Sequence, residues 1–99
     1  MQLTQLLAGV PYTLAHGTLH LEIGDLVYDS RKVTPGCVFV CLSGARVDGH
    51  SFAAQAAQNG AAAVVAQKEV DCPGATLVLT KDTRYALACM SAAWFGHPA

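Results

Sequence analysis

The sequence predicts an α/β domain in which helices pack on a mixed or largely parallel sheet of about four to five strands. Short apolar runs alternate with Ala-rich or amphipathic segments along the 99 residues, and this alternation is typical of strands that alternate with helices. The chain is 53% hydrophobic and 13% charged. It is therefore too apolar to be disordered and has the size of one domain with a modest core.

The first third of the chain predicts a short helix followed by two strands. Residues 1–8 have leucines at helical spacing, and Gly9 follows as a helix stop. Residues 19–23 alternate between apolar and polar side chains, which predicts a half-exposed strand. Residues 26–28 predict a second short strand, and the polar residues 29–31 predict a loop.

The middle third predicts a buried strand, a polar loop and a helix. Pro35-Gly36 is a turn signal, and the unbroken apolar run 37–42 is typical of a strand that is covered on both faces. Residues 43–51 are polar and predict a loop. Residues 52–59 are rich in Ala and Gln and predict a helix that ends at Gly60.

The last third predicts two more strands and a final helix. Residues 61–66 and 76–80 are apolar runs, separated by a turn over residues 69–74. Asp82 is a suitable N-cap for the last helix, and Gly96 with the proline after it would end that helix. The apolar stripe of this helix consists of Ala86, Leu87, Met90, Ala93 and Trp94.

Charge and hydropathy exclude several classes of protein. Six Lys and Arg residues stand against seven Asp and Glu residues, for a formal net charge of -1, and no basic run offers the footprint of a nucleic-acid-binding surface. No apolar run approaches the roughly 20 residues that span a bilayer, and the start lacks the pattern of a secretory signal. We therefore expect a cytoplasmic, monomeric protein without nucleic-acid or membrane partners.

The four cysteines predict buried free thiols. No pair has the spacing of a zinc ribbon or a redox-active motif, and Cys37 and Cys41 would share one face of the buried strand. A metal site that combines cysteines with a histidine is the less favoured alternative. The residues open to it are Cys37, Cys41, Cys72, Cys89, His16, His20, His50 and His97.

Two polar loops follow predicted strands and form the candidate ligand site. In open α/β sheets, ligands bind outside the carboxyl ends of strands, where residues 29–32 and 43–51 would lie. Ser30 offers a hydroxyl group, Arg31 and Arg46 offer guanidinium groups that suit phosphate, and the loop glycines allow close backbone approach. Backbone N–H groups at the start of the following helix would also point at an anion.

The alternative to this site is a structural one, in which the arginines are solvated surface charges, the glycines form turns, and His50 is an ordinary helix-start residue. No paired carboxylates, nucleophile-and-base pair or metal-ligand cluster is evident, and no Gly-x-x-x-x-Gly-Lys-[Ser/Thr] loop occurs. The residues therefore predict an anion-binding edge, with no catalytic residue and no metal site.

The stretch between residues 29 and 61 carries a combination of short motifs in unbroken register. They are Asp29-Ser30-Arg31-Lys32-Val33, Pro35-Gly36, Val38-Phe39-Val40, Gly44, Asp48-Gly49-His50, Phe52, Ala56 and Gly60-Ala61. Together they resemble the amino-terminal domain of the Mur ligase family. The opening residues 1–7 and the closing Trp94-Phe95-Gly96-His97-Pro98 are similar to the ends of that domain in the member that adds the third amino acid of the peptidoglycan stem peptide.

The resemblance implies the amino-terminal part of a three-domain ligase that forms an amide bond. This domain would hold the UDP end of UDP-N-acetylmuramoyl-L-alanyl-D-glutamate. A central domain would bind ATP and magnesium, and a third would help select the amino acid, either L-lysine or meso-diaminopimelate. We expect residues 1–99 to be a fragment that stops before the ATP-binding loop, binds no cofactor and is not catalytic alone.

The resemblance also implies which residues contact the substrate. The positions carried over are Tyr28, Ser30, Ala45, Arg46 and Val47, and the adjoining residues of the two motifs complete the candidate site with Arg31, Asp48, Gly49 and His50. Cys37 stands where the family usually has an acidic residue; because it opens a strand, we expect little effect on function. The alternatives are the family member that adds the terminal dipeptide and a stand-alone nucleotide-sugar-binding module.

Overall fold

A computed structural model describes residues 1–44 and 46–96 as one five-stranded sheet with helices on both faces. The strands are β1 (Thr13–His16), β2 (Asp25–Val27), β3 (Cys37–Val40), β4 (Ala63–Ala66) and β5 (Thr76–Leu79). The helices are α1 (Leu3–Leu6), α2 (Ala53–Gln58) and α3 (Thr83–Phe95), with 3-10 turns at Ser30–Lys32 and Gly49–Phe52. The predicted α/β class with a mixed sheet of about five strands is confirmed.

The strands lie in the order β1-β5-β4-β3-β2. Strands β2 to β5 are parallel, and β1 pairs antiparallel with β5. The carboxyl ends of the four parallel strands therefore lie along one edge of the sheet, which we call the carboxyl edge. The segments after β2 and β3, which the sequence singled out, both lie on this edge.

The sheet is buried on both faces. Alternate residues of β3 enter opposite cores: Val38 and Val40 pack with α1 and α3 on one face, while Cys37 and Phe39 pack with α2 on the other. This confirms the prediction of a strand covered on both sides. The four cysteines are free, and burial raises the pKa of the Cys41 thiol to about 12, so this thiol is a core group and not a nucleophile.

The predicted strand at residues 19–23 is wrong, and the edge strand β1 was missed. Residues 19–23 run beside the amino terminus, where Leu3 N–H donates to Leu21 O (2.9 Å) and Ile23 N–H donates to Met1 O (2.8 Å). Their apolar side chains fill the core from an irregular segment. Strand β1 is mostly exposed because it is an edge strand, so it has no apolar pattern to reveal it.

The last helix has the predicted cap. The Asp82 carboxylate accepts from the N–H groups of Arg84 (3.0 Å) and Tyr85 (3.1 Å). Met90 is fully buried, whereas Trp94 is only partly buried at the margin of the core. His97 and Pro98, which the sequence placed at the end of this helix, lie outside the described residues. Within residues 1–44 and 46–96, no helix has the length and apolarity needed to cross a membrane.

Candidate functional site

A cleft of about 600 Å³ opens at the carboxyl edge between the segments that follow β2 and β3. We call it the β2–β3 cleft. Its lining combines aromatic and aliphatic side chains with a hydroxyl, a carboxylate, a guanidinium and an amide. The lining residues are Tyr28, Asp29, Ser30, Arg31, Phe39, Leu42, Val47, Gly49, Phe52 and Gln55. Its volume is in the range of sites that bind small organic ligands.

The first wall of the cleft is held by an ion pair between Asp29 and Arg31. The Asp29 carboxylate accepts from Arg31 N–H (3.0 Å), Nε (3.1 Å) and Nη2 (2.9 Å). The hydrogen bonds from Arg31 lower the pKa of Asp29 from 3.8 to about 2. This pair uses two of the five N–H donors of the guanidinium, and the Ser30 hydroxyl has no hydrogen-bond partner within the described residues. Both groups can therefore face a ligand.

The second wall is formed after β3, where Ser43 and Asp48 pair as an antiparallel bridge. We call the described residues 43, 44 and 46–48 the 43–48 hairpin. Gly44 N–H donates to Val47 O (2.8 Å), and Gly49 N–H donates to Leu42 O (2.8 Å) just below the hairpin. A Cβ atom on Gly49 would lie 2.7 Å from Leu42 N and 2.9 Å from its oxygen, so only glycine fits this close approach of two backbones. The hairpin places Val47 opposite the first wall.

Two large apolar side chains stand uncovered at the mouth of the cleft. Tyr28 on the first wall is 61% exposed, and Val47 on the second is 56% exposed. Phe39 and Leu42 add apolar lining between the two walls. Apolar side chains on both walls favour a flat aromatic ring over a charged group in this part of the cleft. The cleft thus has an apolar part and a polar part.

The predicted site residues separate into four groups, of which the last consists of Asp48 and His50. Tyr28, Ser30, Arg31, Val47 and Gly49 are brought together as lining of the cleft. Arg46 lies on the hairpin with its side chain exposed and does not line the cleft. Ala45 lies outside the described residues.

Asp48 and His50 support the hairpin from below. The His50 side chain is only 3% exposed, and its Nδ1 atom lies 2.7 Å from Asp48 Oδ1. Hydrogen bonds from the backbone N–H and the imidazole of His50 lower the pKa of Asp48 to about 2. Asp48 and His50 therefore hydrogen-bond to each other, and neither side chain lines the cleft.

Four backbone N–H groups that the sequence offered as ligand donors, in the second loop and at the start of the helix after it, are engaged within the protein. The N–H groups of Gly44 and Gly49 donate to the hairpin and strand carbonyls. The N–H groups of His50 and Ser51 donate to the side chain and the carbonyl of Asp48. These four N–H groups are therefore satisfied inside the protein and do not point at a ligand.

Several lining residues were missed from the sequence. Phe39 and Leu42 come from β3 and its end, and Phe52 and Gln55 come from the start of α2. The three-residue spacing of Phe52 and Gln55 places them on one face of a helix, which was the available signal. Within the described residues, no group of three or more His, Cys, Asp or Glu side chains could hold a metal ion.

A second cleft of about 540 Å³ opens further along the carboxyl edge, beside β5 and β1. Two of its polar groups are engaged within the protein: Asp82 caps α3, and the Thr80 hydroxyl donates to Pro11 O (3.1 Å). Lys81 and the rings of Tyr12 and Tyr85 also line it. We take the β2–β3 cleft as the candidate site because the two segments that the sequence singled out meet there.

The sheet and its cleft define an α/β ligand-binding domain with its site at the carboxyl edge. The family model described as "Mur ligase family, catalytic domain" matches residues 22–93. The match includes both walls of the cleft and more than half of the chain. The chain belongs to the Mur ligase family.

The curated relatives are longer proteins that are named as ligases. The chain is 48% identical over 99 residues to UDP-N-acetylmuramoyl-L-alanyl-D-glutamate--2,6-diaminopimelate ligase of Syntrophomonas wolfei, with 99% of this chain and 20% of that protein covered. It is 41% identical over 100 residues to ligase 2 of the same name from Clostridium acetobutylicum, covering 99% of this chain and 21% of that protein. The chain thus spans about a fifth of the length of these relatives.

Solved structures of the same family share the fold. Crystal structure II of MurF from Acinetobacter baumannii matches 93% of this chain and 20% of its own, with a TM-score of 0.74 and 28% identity. MurF ligase from Thermotoga maritima in complex with ADP matches 68% of this chain and 16% of its own, with a TM-score of 0.62 and 33% identity. The fold is therefore that of a part of these larger enzymes.

Proposed function

We propose that residues 1–99 form the amino-terminal, UDP-substrate-binding domain of a cytoplasmic, monomeric ligase. The ligase uses ATP to add the third amino acid to UDP-N-acetylmuramoyl-L-alanyl-D-glutamate in peptidoglycan biosynthesis. The observation that carries the proposal is the β2–β3 cleft, where Tyr28, Ser30, Arg31 and Val47 meet in a chain of the Mur ligase family.

The two parts of the cleft match the two parts of a uridine diphosphate. Tyr28 and Val47 are the exposed apolar groups that pack against the faces of the base. Ser30 and the remaining donors of Arg31 bind the diphosphate, because hydrogen bonds to a charged group are about twice as strong as neutral ones. The exposed Arg46 on the hairpin adds a second guanidinium group beside the cleft, and we keep Ala45 as a proposed contact from the family resemblance alone.

The other reactants bind outside this chain. The sequence has no glycine-rich loop that could cradle a triphosphate and no carboxylate cluster that could hold its magnesium ion. ATP, Mg²⁺ and the incoming amino acid therefore bind to the remainder of the ligase. The names of the curated relatives favour diaminopimelate over lysine as the amino acid that is added.

A second candidate is the ligase that adds the terminal dipeptide, which the MurF structures favour. Sequence identity discriminates between the two candidate ligases. It reaches 48% over the whole chain with a diaminopimelate ligase, against 27–33% with the MurF structures. We therefore place the dipeptide-adding ligase second.

Ser30→Ala in the intact protein tests the proposal. Loss of one hydrogen bond to a charged group should raise the KM for the UDP substrate about tenfold, while the KM for ATP stays nearly unchanged. The measurement is the steady-state rate of diaminopimelate addition with each substrate varied in turn. A Ser30→Ala protein with an altered KM for ATP alone, or a wild-type protein without this ligase activity, would contradict the proposal.

A further inference from the structure

A chain of partly buried hydrogen bonds runs from the 43–48 hairpin, on one side of the β2–β3 cleft, to α3. His50 Nδ1 bonds to Asp48 Oδ1 (2.7 Å), and His50 Nε2 accepts from Gln67 N–H (2.9 Å). Gln67 Oε1 in turn accepts from Thr83 N–H and Thr83 Oγ1, both at 3.0 Å. The chain links the segments after β3 and β4 to the first turn of α3.

The bonding pattern assigns one tautomer to the imidazole of His50. A backbone N–H can only donate, so His50 Nε2 must be an unprotonated acceptor for Gln67. The ring proton then lies on Nδ1 and is donated to the Asp48 carboxylate. Both ring nitrogens are occupied inside the protein, and the ring is buried, so His50 acts on the cleft only through its neighbours.

Those neighbours form the second wall. Asp48 closes the 43–48 hairpin, and Gly49 lines the cleft. A second hydrogen bond joins the same hairpin to α3, because Arg84 Nη2 donates to Ser43 O (3.0 Å). The wall that carries Val47 is thus bonded through side chains to Gln67, which follows β4, and to α3. The first wall has its own local ion pair.

We infer that His50 is a positioning residue for the cleft: its neutral imidazole holds the 43–48 hairpin at the separation from the first wall that a nucleotide requires. This inference rests on the proposed function, since the ligand is taken to be a uridine diphosphate. Loss of the two imidazole hydrogen bonds lets the hairpin move. Nucleotide binding must then order the hairpin, which lowers the affinity.

The test compares three variants of the intact protein with UDP as the probe. His50→Leu keeps the shape of the side chain near Cβ but removes both bonds. His50→Gln returns an acceptor at the ε position for Gln67 N–H. Thr76→Val is the matched control, because Thr76 is also buried and makes two hydrogen bonds, with Thr18 N–H (3.0 Å) and Thr18 O (2.8 Å), but lies at the opposite edge of the sheet.

UDP affinity, measured by calorimetry on folded protein, should fall about tenfold in His50→Leu. It should recover to within about threefold of wild type in His50→Gln and stay unchanged in Thr76→Val. In wild-type protein labelled with ¹⁵N-histidine, His50 should give the spectrum of a neutral ring with its proton on Nδ1. If His50 served only stability, the UDP affinity of the folded His50→Leu protein would equal that of wild type, and His50→Gln would have no affinity to restore.

Three affinity results would overturn the inference. They are unchanged UDP affinity in folded His50→Leu, an equal loss of affinity in Thr76→Val, and no recovery in His50→Gln. A His50 ring with its proton on Nε2 would also overturn it. Absence of UDP binding by the wild-type protein would instead remove the proposed function, and this inference with it.

Discussion

At the scale of single residues, the first wall of the cleft depends on the ion pair between Asp29 and Arg31. The Arg31 hydrogen bonds lower the pKa of Asp29 to about 2, so the carboxylate is the more easily ionised in the folded protein. A depressed pKa of this kind favours the folded state above the ordinary value near 4, and its contribution disappears as the pH falls through about 2. The wall therefore keeps its ion pair across all physiological pH values.

This arrangement predicts a specific change in the titration of Asp29. In Arg31→Ala, the side-chain bonds are lost, and the pKa of Asp29 should rise from about 2 towards 3.8. The measurement is the ¹³C chemical shift of the carboxyl group as a function of pH. Asp48 is the internal control, because its low pKa of about 2 comes from His50 and should not move. An Asp29 pKa that stays near 2 in the variant would show that the Arg31 side chain is not the cause.

The residues that line the first wall could be predicted, but the partner of His50 could not. Ser30 and Arg31 stand directly after an apolar strand, and polar side chains at that position are typical of ligand sites. Gln67 lies 17 residues beyond His50 and meets it only because β3 and β4 pair in parallel. No local sequence pattern predicts this contact. From the sequence alone, His50 could be either a ligand contact or an ordinary helix-start residue.

At the scale of elements, the second wall depends on a glycine that lets two backbones touch. A methyl group at Gly49 would meet Leu42 N at 2.7 Å and Leu42 O at 2.9 Å. These are backbone atoms, so the strand end and the turn would have to separate. The change would displace the 43–48 hairpin together with Val47.

Gly49→Ala should therefore destabilise the fold by about 1–3 kcal/mol and weaken UDP binding. Gly24→Ala is the matched control, because its new methyl group would meet only Gly36 O at an ordinary 3.9 Å; it should change stability by less than about 0.5 kcal/mol. Urea denaturation gives both values. Equal stability of the two variants would mean that the hairpin accommodates a side chain at residue 49.

The central elements were predictable, whereas the edge of the sheet was not. Strands β3 and β4 are buried on both faces and show as continuous apolar runs. Strand β1 pairs with one neighbour and is mostly exposed, so its sequence is not constrained to be apolar. Residues 19–23 alternate like a strand, but they pack beside the amino terminus and make backbone bonds to Met1 and Leu3 instead of to the sheet.

At the scale of the whole molecule, parallel strand order brings distant polar segments to one edge. Strands β2 and β3 are neighbours, so the residues that follow them face each other across a cleft even though they are more than ten residues apart in the chain. Helices α1 and α3 on one face and α2 on the other leave this edge open. A small domain can thus offer a nucleotide-sized site without any catalytic group, which is the division of labour we propose for this ligase.

The most direct test of that proposal is an amide chemical-shift titration of residues 1–99 with UDP-N-acetylmuramoyl-L-alanyl-D-glutamate. We expect the shifts to cluster at residues 28–31 and 44–50, which form the two walls, and Ser30→Ala should reduce them. UDP alone should reproduce most of the pattern, because the base and the diphosphate make the proposed contacts. Shifts that cluster instead at residues 69–74, or that do not change in Ser30→Ala, would contradict the assignment of the β2–β3 cleft as the substrate site.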